Sequence, residues 1–341
     1  LTVLDRAALD GLASGPDLAA RGRSLITRAA NGDSAAGGEA EQLLSSALIL
    51  YAQAIHTPPA GMTYADSWVT PRRLSPGQVL AAAAAAPSLA QHVAALSAVN
   101  PVYDELRQTA FANMKATGAP PDARVTASLA QARHAPFQKR YIMVDAASAT
   151  LWMIEDGQVA DSMKVIVGKA GARTPVVAST IYRATLNPYW NVPGDLVQKL
   201  IAPRVVEQGA AYLKERNYEL LDGPGSDAKP LDPQKVDWKK VAAGEASVRV
   251  RQLPGPANSM GQVKFGFPNA SDIFLHDTPN KDLFDEASRD LSNGCIRLSD
   301  APRLARWLLG REPAAASGEA EQHVLLPTPV PVYVTYLTAQ A

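Results

Sequence analysis

Apolar positions recur at helical spacing through the first third of the chain and at alternating spacing beyond it. Over residues 39–55, Leu43, Leu44, Ala47, Leu48, Tyr51 and Ile55 fall on one helical face. Residues 79–96 are alanine-rich, which favours helix, and Pro87 interrupts them. Residues 101–115 open on Pro101 at a helix start and carry Tyr103, Leu106, Ala110 and Met114 along one stripe. A loop is expected over 117–122 and a short helix over 125–133. From Arg140 the period changes. Residues 140–145 and 150–155 read as strands, Asp156-Gly157 as a hairpin turn, and 159–168 and 180–186 as the next two strands. Residues 189–250 break this run. Within them 196–206 and 212–221 read as helices and 223–227 as a loop. Strands resume over 247–252 and 262–267, and 272–276 ends on His276. A helix at 300–309, a loop of small residues at 312–321 and a last strand at 330–337 complete the chain, with no internal repeat.

Composition narrows the class. The chain has 341 residues, enough for two domains, with 47% hydrophobic and 19% charged residues, which are globular values. There are 33 basic and 33 acidic residues, and no basic stripe, which argues against nucleic-acid binding. No stretch has the length of a membrane helix; the longest low-complexity apolar run, 79–86, stops at Pro87. His56 and His92 lack acidic, Cys or His partners at metal-ligand spacing, and His134 and His323 fall in loops, so no metal and no cofactor is expected.

The chemistry concentrates in residues 273–298. Cys295 is the only cysteine, and His276 is one of five histidines. A thiol is a modest nucleophile until it loses its proton, and an imidazole can take that proton near neutral pH. Gly294 permits a sharp turn that lets amides beside Cys295 face a developing oxyanion. A single Cys cannot form an internal disulfide, which leaves a reactive thiol in an exported protein or a cytosolic protein with one buried Cys.

His276, a spacer of fifteen residues, then Ser292-Asn293-Gly294-Cys295-Ile296-Arg297 resembles the signature of the L,D-transpeptidases with a YkuD-type catalytic domain. The resemblance extends to Leu275-His276-Asp277-Thr278-Pro279, Asn187-Pro188-Tyr189-Trp190-Asn191-Val192-Pro193, Arg251-Gln252-Leu253-Pro254-Gly255, Val263-Lys264-Phe265-Gly266-Phe267-Pro268-Asn269, Arg173-Thr174-Pro175 and the tail at 331–336. It covers about 137–337, and it fits the large proteobacterial members. The family has His where this chain has Asn293, which cannot titrate near neutral pH.

The resemblance implies an α+β protein: an α-helical scaffold domain over 1–135, then a β-rich YkuD-type sandwich domain over 136–341, with 190–250 as an inserted helical lid. It implies Cys295 as nucleophile and His276 as base, with Gly294 and Asn293 in the catalytic turn. It implies substrate contacts from Arg297, Ser292, Trp190 and Asp277. The expected reaction is peptidoglycan L,D-transpeptidation: attack on the carbonyl of an L-residue followed by a D-residue, a thioester, and transfer to the amine of a second stem. The usual donor gives a 3-3 crosslink between diaminopimelates; the L-Ala–D-Glu bond, giving 1-3 crosslinks, is the alternative that Asn293 keeps open. An L,D-carboxypeptidase and a catalytically weak wall-binding protein are further alternatives, while the ordered motifs argue against a generic cysteine protease. The partners are stem peptides as donor and acceptor. The implied compartment is the periplasm, with the leader absent from this chain.

Overall fold

The computed structural model describes residues 1–133, 139–223, 225, 228–313 and 319–338. His134, part of the 223–227 loop and part of the 312–321 loop lie outside them. The chain divides into two compact units: Leu1–Ser162 with Pro175–Thr180 and Pro331–Ala341, and Met163–Thr174 with Ile181–Val330.

Among its described residues the first unit holds seven α-helices: α1 Thr2–Asp5, α2 Gly15–Ala30, α3 Ser34–Ile55, α4 Pro76–Ala85, α5 Leu89–Ser97, α6 Pro101–Thr117 and α7 Ala123–Ala132. Local chemistry sets their limits. Asp33 accepts the Ala35 and Ala36 amides at the start of α3. Ser75 and Gln78 form a reciprocal capping box on α4. Ser88, just past Pro87, caps α5, so the alanine-rich run becomes two helices. Asn100 caps α6 with Pro101 in its first turn. Asp10, fully buried, accepts from Tyr51 Oη at 3.0 Å, Tyr103 Oη at 2.6 Å and Arg107 at 2.9 Å, tying α3 and α6 to the N-terminal segment. The Asp10–Arg107 charges are buried, paired and further hydrogen-bonded, the condition under which desolvation is offset.

The same unit contains β1 Thr63–Tyr64, β2 Arg140–Asp145 and β3 Thr150–Glu155. Strands β2 and β3 pair antiparallel from Arg140↔Glu155 to Asp145↔Thr150. Asp156 and Gly157 then both take positive φ, as a two-residue hairpin loop requires, and lead into β4 Gln158–Gly168. Strand β4 and β5 Val177–Leu186 each run from one unit into the other.

In the second unit, residues 190–250 carry their own core around Val197, Ile201, Val205, Leu213, Trp238 and Val250. They contain β6 Trp190–Asn191, β7 Tyr218–Leu221 and β8 Arg249–Gln252, paired antiparallel with β8 in the middle. Their helices are α8 Gly194–Leu196, which continues through a π-helical stretch Val197–Ile201 into α9 Ala202–Gln208, then α10 Ala211–Glu215 and α11 Trp238–Ala243. The single helix expected over 212–221 is instead a helix and a strand. Asn217 takes φ +54°, which ends the helix and turns the chain into β7.

The remaining strands are β9 Val263–Gly266, β10 Phe274–His276, β11 Asp290–Ser292, β12 Ile296–Leu298 and β13 Gln322–Thr335, with α12 Ala301–Leu309 after β12. In this unit β5 pairs antiparallel with β9, β9 antiparallel with β10, β10 parallel with β12, and β12 antiparallel with β4. The architecture is a helical N-terminal region followed by a β-rich region. No helix among the described residues is long and apolar enough to cross a membrane.

Candidate active site

Register decides which side chains meet. Ala184, Phe265, Leu275 and Ile296 are successive cross-strand partners on β5, β9, β10 and β12, and all four are fully buried. This row is one face of the sheet. One residue along each strand, side chains point the other way. There the partners are Thr185, Lys264, His276 and Arg297. Cys295 lies just before β12, two residues from Arg297, close enough for the Arg297 charge and the Phe274 backbone to act on its thiol. Neighbouring strands are about 4.8 Å apart.

His276 is 3% exposed. Its Nδ1 lies 2.6 Å from the Asp277 carbonyl, an oxygen that only accepts, so Nδ1 carries the proton and Nε2 is the proton acceptor. Burial pulls its pKa down to about 4; the Asp277 carbonyl opposes this, and the nearby Arg297 charge adds to it. The half-buried Cys295 thiol is pushed above its ordinary value by burial, against the pull of the Phe274 amide and Arg297. Both shifts favour the uncharged forms, a thiol and a neutral imidazole.

The turn carrying Cys295 is braced from two sides. Ser292 Oγ donates to the Cys295 carbonyl at 2.6 Å and accepts the Gly294 amide at 3.1 Å. Thr174 Oγ1 donates to the Gly294 carbonyl at 2.8 Å and accepts the Gly168 amide at 2.9 Å. Gly294 takes φ +118°, a conformation L-residues rarely adopt. Gly168 has no room for a Cβ, because the Ala172 carbonyl and the Thr174 amide press against it. Asn293, at the tip, is exposed.

With this geometry in view, the profile of the YkuD L,D-transpeptidase catalytic domain matches residues 139–332, more than half of the chain. The chain belongs to the YkuD family. A scaffold-domain profile matches residues 1–109 of the same chain. A Haemophilus influenzae protein provisionally named an L,D-transpeptidase is 32% identical over 205 residues, 58% of this chain and 41% of that relative. The chain thus spans about two fifths of that relative's length. Among solved structures, the L,D-transpeptidase from Mycobacterium smegmatis aligns with 14% identity and a TM-score of 0.29, covering 58% of each chain. The catalytic domain of an E. faecium L,D-transpeptidase acylated by ertapenem aligns with 16% identity and a TM-score of 0.27, over 56% of this chain and 98% of that one.

Within the L,D-transpeptidase domain, His276 and Arg297, both singled out in sequence, are register partners, and Gly294 and Cys295 directly precede β12, which carries Arg297. Arg297 has no hydrogen-bond or ion-pair partner among the described residues, and burial pulls its pKa down. Ser292, expected at the substrate, has its hydroxyl committed to the turn. The Asp277 carboxylate is likewise committed, to the Gln262 amide at 2.9 Å and Lys281 Nζ at 2.7 Å. Trp190 packs on Tyr218, ring centroids 6.3 Å apart, at the edge of the inserted core. The Gly294 amide, expected to face an oxyanion, is taken by Ser292.

Three residues that sequence alone did not distinguish join this YkuD site. Thr174 supports the Gly294 turn, Lys264 stands beside His276, and Glu321 pairs with Lys264 at 2.9 Å. Thr174 and Lys264 lie inside motifs that carry the resemblance, but only the register says what they face. Among the described residues, no group of three or more His, Cys, Asp or Glu is placed to hold a metal ion.

Proposed function

We propose that this chain is a peptidoglycan L,D-transpeptidase working outside the inner membrane, with Cys295 as nucleophile and His276 as base. The single observation that carries this reading is the pairing of His276 with Arg297 across β10 and β12, with the Cys295 thiol two residues upstream and within reach of the Arg297 charge. His276 Nε2 takes the thiol proton as Sγ attacks the carbonyl of an L-residue followed by a D-residue. The C–N bond breaks, and the imidazolium gives its proton to the departing amine. A thioester remains on Cys295. A second stem's amine then gives a proton to His276, attacks the thioester, and releases the thiolate, which regains the proton.

Because thiol and imidazole are both neutral at rest, the thiol proton passes to His276 within the catalytic cycle. Arg297 stabilises the thiolate and takes a stem carboxylate, for which its fork is suited. Residues 190–250 act as the cap that keeps water from the thioester, favouring amine transfer over hydrolysis. The donor is the bond between diaminopimelate and D-Ala, giving a 3-3 crosslink; Asn293 favours keeping the L-Ala–D-Glu bond as a second donor.

The test is mass spectrometry of the protein and of its Cys295→Ala variant after incubation with purified disaccharide-tetrapeptide. Loss of D-Ala with a dimer joined through two diaminopimelates is expected. A sugar-L-Ala adduct with a released peptide beginning at D-Glu moves the reaction to the first bond. No adduct and no product from folded protein overturns the catalytic reading on this substrate.

A further inference from the structure

Lys264 is the register partner of His276 on β9, and Arg297 is its partner on β12. The base is therefore flanked by a cation from each neighbouring strand. The two cations differ. Arg297 has no ion-pair partner among the described residues, whereas Lys264 Nζ is 2.9 Å from Glu321 Oε1 and sits over the Phe274 ring at 6.0 Å from its centroid. The pair is mostly buried, with side-chain exposures of 17% and 27%. The same Glu321 oxygen accepts the Tyr189 amide at 2.8 Å, and the Glu321 amide donates to the Asn187 carbonyl at 2.9 Å. Residues 187–189 are the root of the inserted segment 190–250. Asn258 Nδ2 links this root to the chain beyond the other end, donating to the Pro188 carbonyl at 3.1 Å and to the Gln252 and Leu253 carbonyls at 3.2 and 2.9 Å.

We propose that Lys264 is a positioning residue that adds to burial in holding His276 in its neutral, proton-accepting form, and that Glu321 sets the strength of that contribution. The inference rests on His276 as the base. A positive neighbour disfavours the imidazolium, and a carboxylate on that neighbour screens it. The other charged groups acting on His276 are Arg297 from β12 and Asp277, the residue that follows it in the chain. Asp277 is itself neutralised by Lys281 at 2.7 Å. Thr185 continues the row past Lys264 and carries no charge, and its Oγ1 is 3.1 Å from Nδ1 of the exposed His323. The adjustable charge on the row is thus Lys264, and Glu321 joins it to the root of the insert.

The two members of the pair act in opposite directions. Lys264→Met removes the cation, so His276 takes up its proton at higher pH. Glu321→Gln leaves the cation unscreened, so His276 takes it up at lower pH. Lys264→Arg keeps the charge and stays near the parent value. A purely structural ion pair gives no such opposition, because either substitution loosens the same contact.

The experiment is a histidine carbon-13 NMR titration of the full chain and these three variants, run downward from about pH 8, where imidazole is neutral. The chain has five histidines, so His276→Gln assigns the signal. The expected result is a rise of roughly 0.5 to 1 pH unit in the His276 midpoint for Lys264→Met, and a fall for Glu321→Gln. An unchanged midpoint in folded Lys264→Met overturns the role of Lys264. A Glu321→Gln midpoint that is unchanged or moves upward overturns the screening, and stands alone as a test if Lys264→Met does not fold. The signal reports protonation and not turnover, so this inference and the proposed reaction fail separately.

Discussion

Thr174 and Gly294 are joined by a buried hydrogen bond of 2.8 Å, side-chain hydroxyl to backbone carbonyl, across 120 residues of chain. The hydroxyl oxygen also accepts the Gly168 amide, so one atom links the end of β4 to the turn that carries Cys295. Thr174→Val keeps the shape and removes both bonds. It leaves a buried amide and a buried carbonyl short of partners, which costs roughly 1–3 kcal/mol. Urea denaturation is expected to show that loss, together with a drop in acylation of Cys295. Stability within error of the parent would mean the turn does not depend on Thr174.

Gly294 offers a separate probe of the same turn. A Cβ there would meet Ile273 Cγ2 at 3.5 Å and the Ala172 carbonyl at 3.8 Å, ordinary contacts. The cost of Gly294→Ala is therefore backbone strain at φ +118°, about 1–3 kcal/mol, and not a clash. The expected outcome is a folded, destabilised protein whose thiol is displaced and whose crosslinking falls by tenfold or more for a misplacement on the order of 1 Å. Full activity would show that the turn tolerates relaxation.

Parts of this arrangement were legible in the sequence because they are local. The period of two gave β2 and β3 with their observed limits, and Asp156-Gly157 marked the following turn. Pro87 and Ser88 split an alanine run into α4 and α5, and Pro101 opened α6. Residues 212–221 misled because their apolar spacing fits either period; the deciding event is a positive φ at Asn217, which periodicity does not encode. The lateral pairing of β5, β9, β10 and β12 is non-local, and that pairing lines up Thr185, Lys264, His276 and Arg297. Hence the motifs pointed to His276 and Cys295, while Lys264 and Glu321, 57 residues apart, carried no signal that they meet. Hydroxyl and carboxylate groups such as Ser292 and Asp277 look like substrate ligands in a motif, yet their hydrogen bonds turn inward once the turn closes.

His276 also makes stability depend on pH. Its folded pKa is about 4, below the 6.5 of the free group. Between those values the unfolded chain binds a proton that the folded chain refuses, so the contribution is complete above pH 6.5 and is lost as pH falls toward 4. The shift corresponds to roughly 3 kcal/mol at about 1.4 kcal/mol per pH unit. His276→Gln lacks that component. Urea midpoints measured at neutral and at acid pH are expected to fall less in the variant than in the parent. Equal acid sensitivity would mean that His276 is not the group resisting protonation.

Arg297 separates recognition from nucleophile tuning. Its charge lowers the thiol pKa against the stronger upward push of burial, so Arg297→Gln is expected to slow alkylation of Cys295 at a fixed pH near neutrality. Recognition is read with two donors, one with a free diaminopimelate carboxylate and one with that group amidated. A half-buried guanidinium with no side-chain partner among the described residues gains a charge-assisted bond to the first donor only, worth about 1.5–3 kcal/mol, or roughly tenfold or more in kcat/KM. The parent is expected to discriminate by that factor and Arg297→Gln to lose the discrimination, whatever its absolute rate. Arg297→Lys keeps the charge but not the planar fork, so it is expected to retain the alkylation rate and part of the selectivity. If Arg297→Gln discriminates as well as the parent, the stem carboxylate is held elsewhere, and the guanidinium acts on the thiol alone.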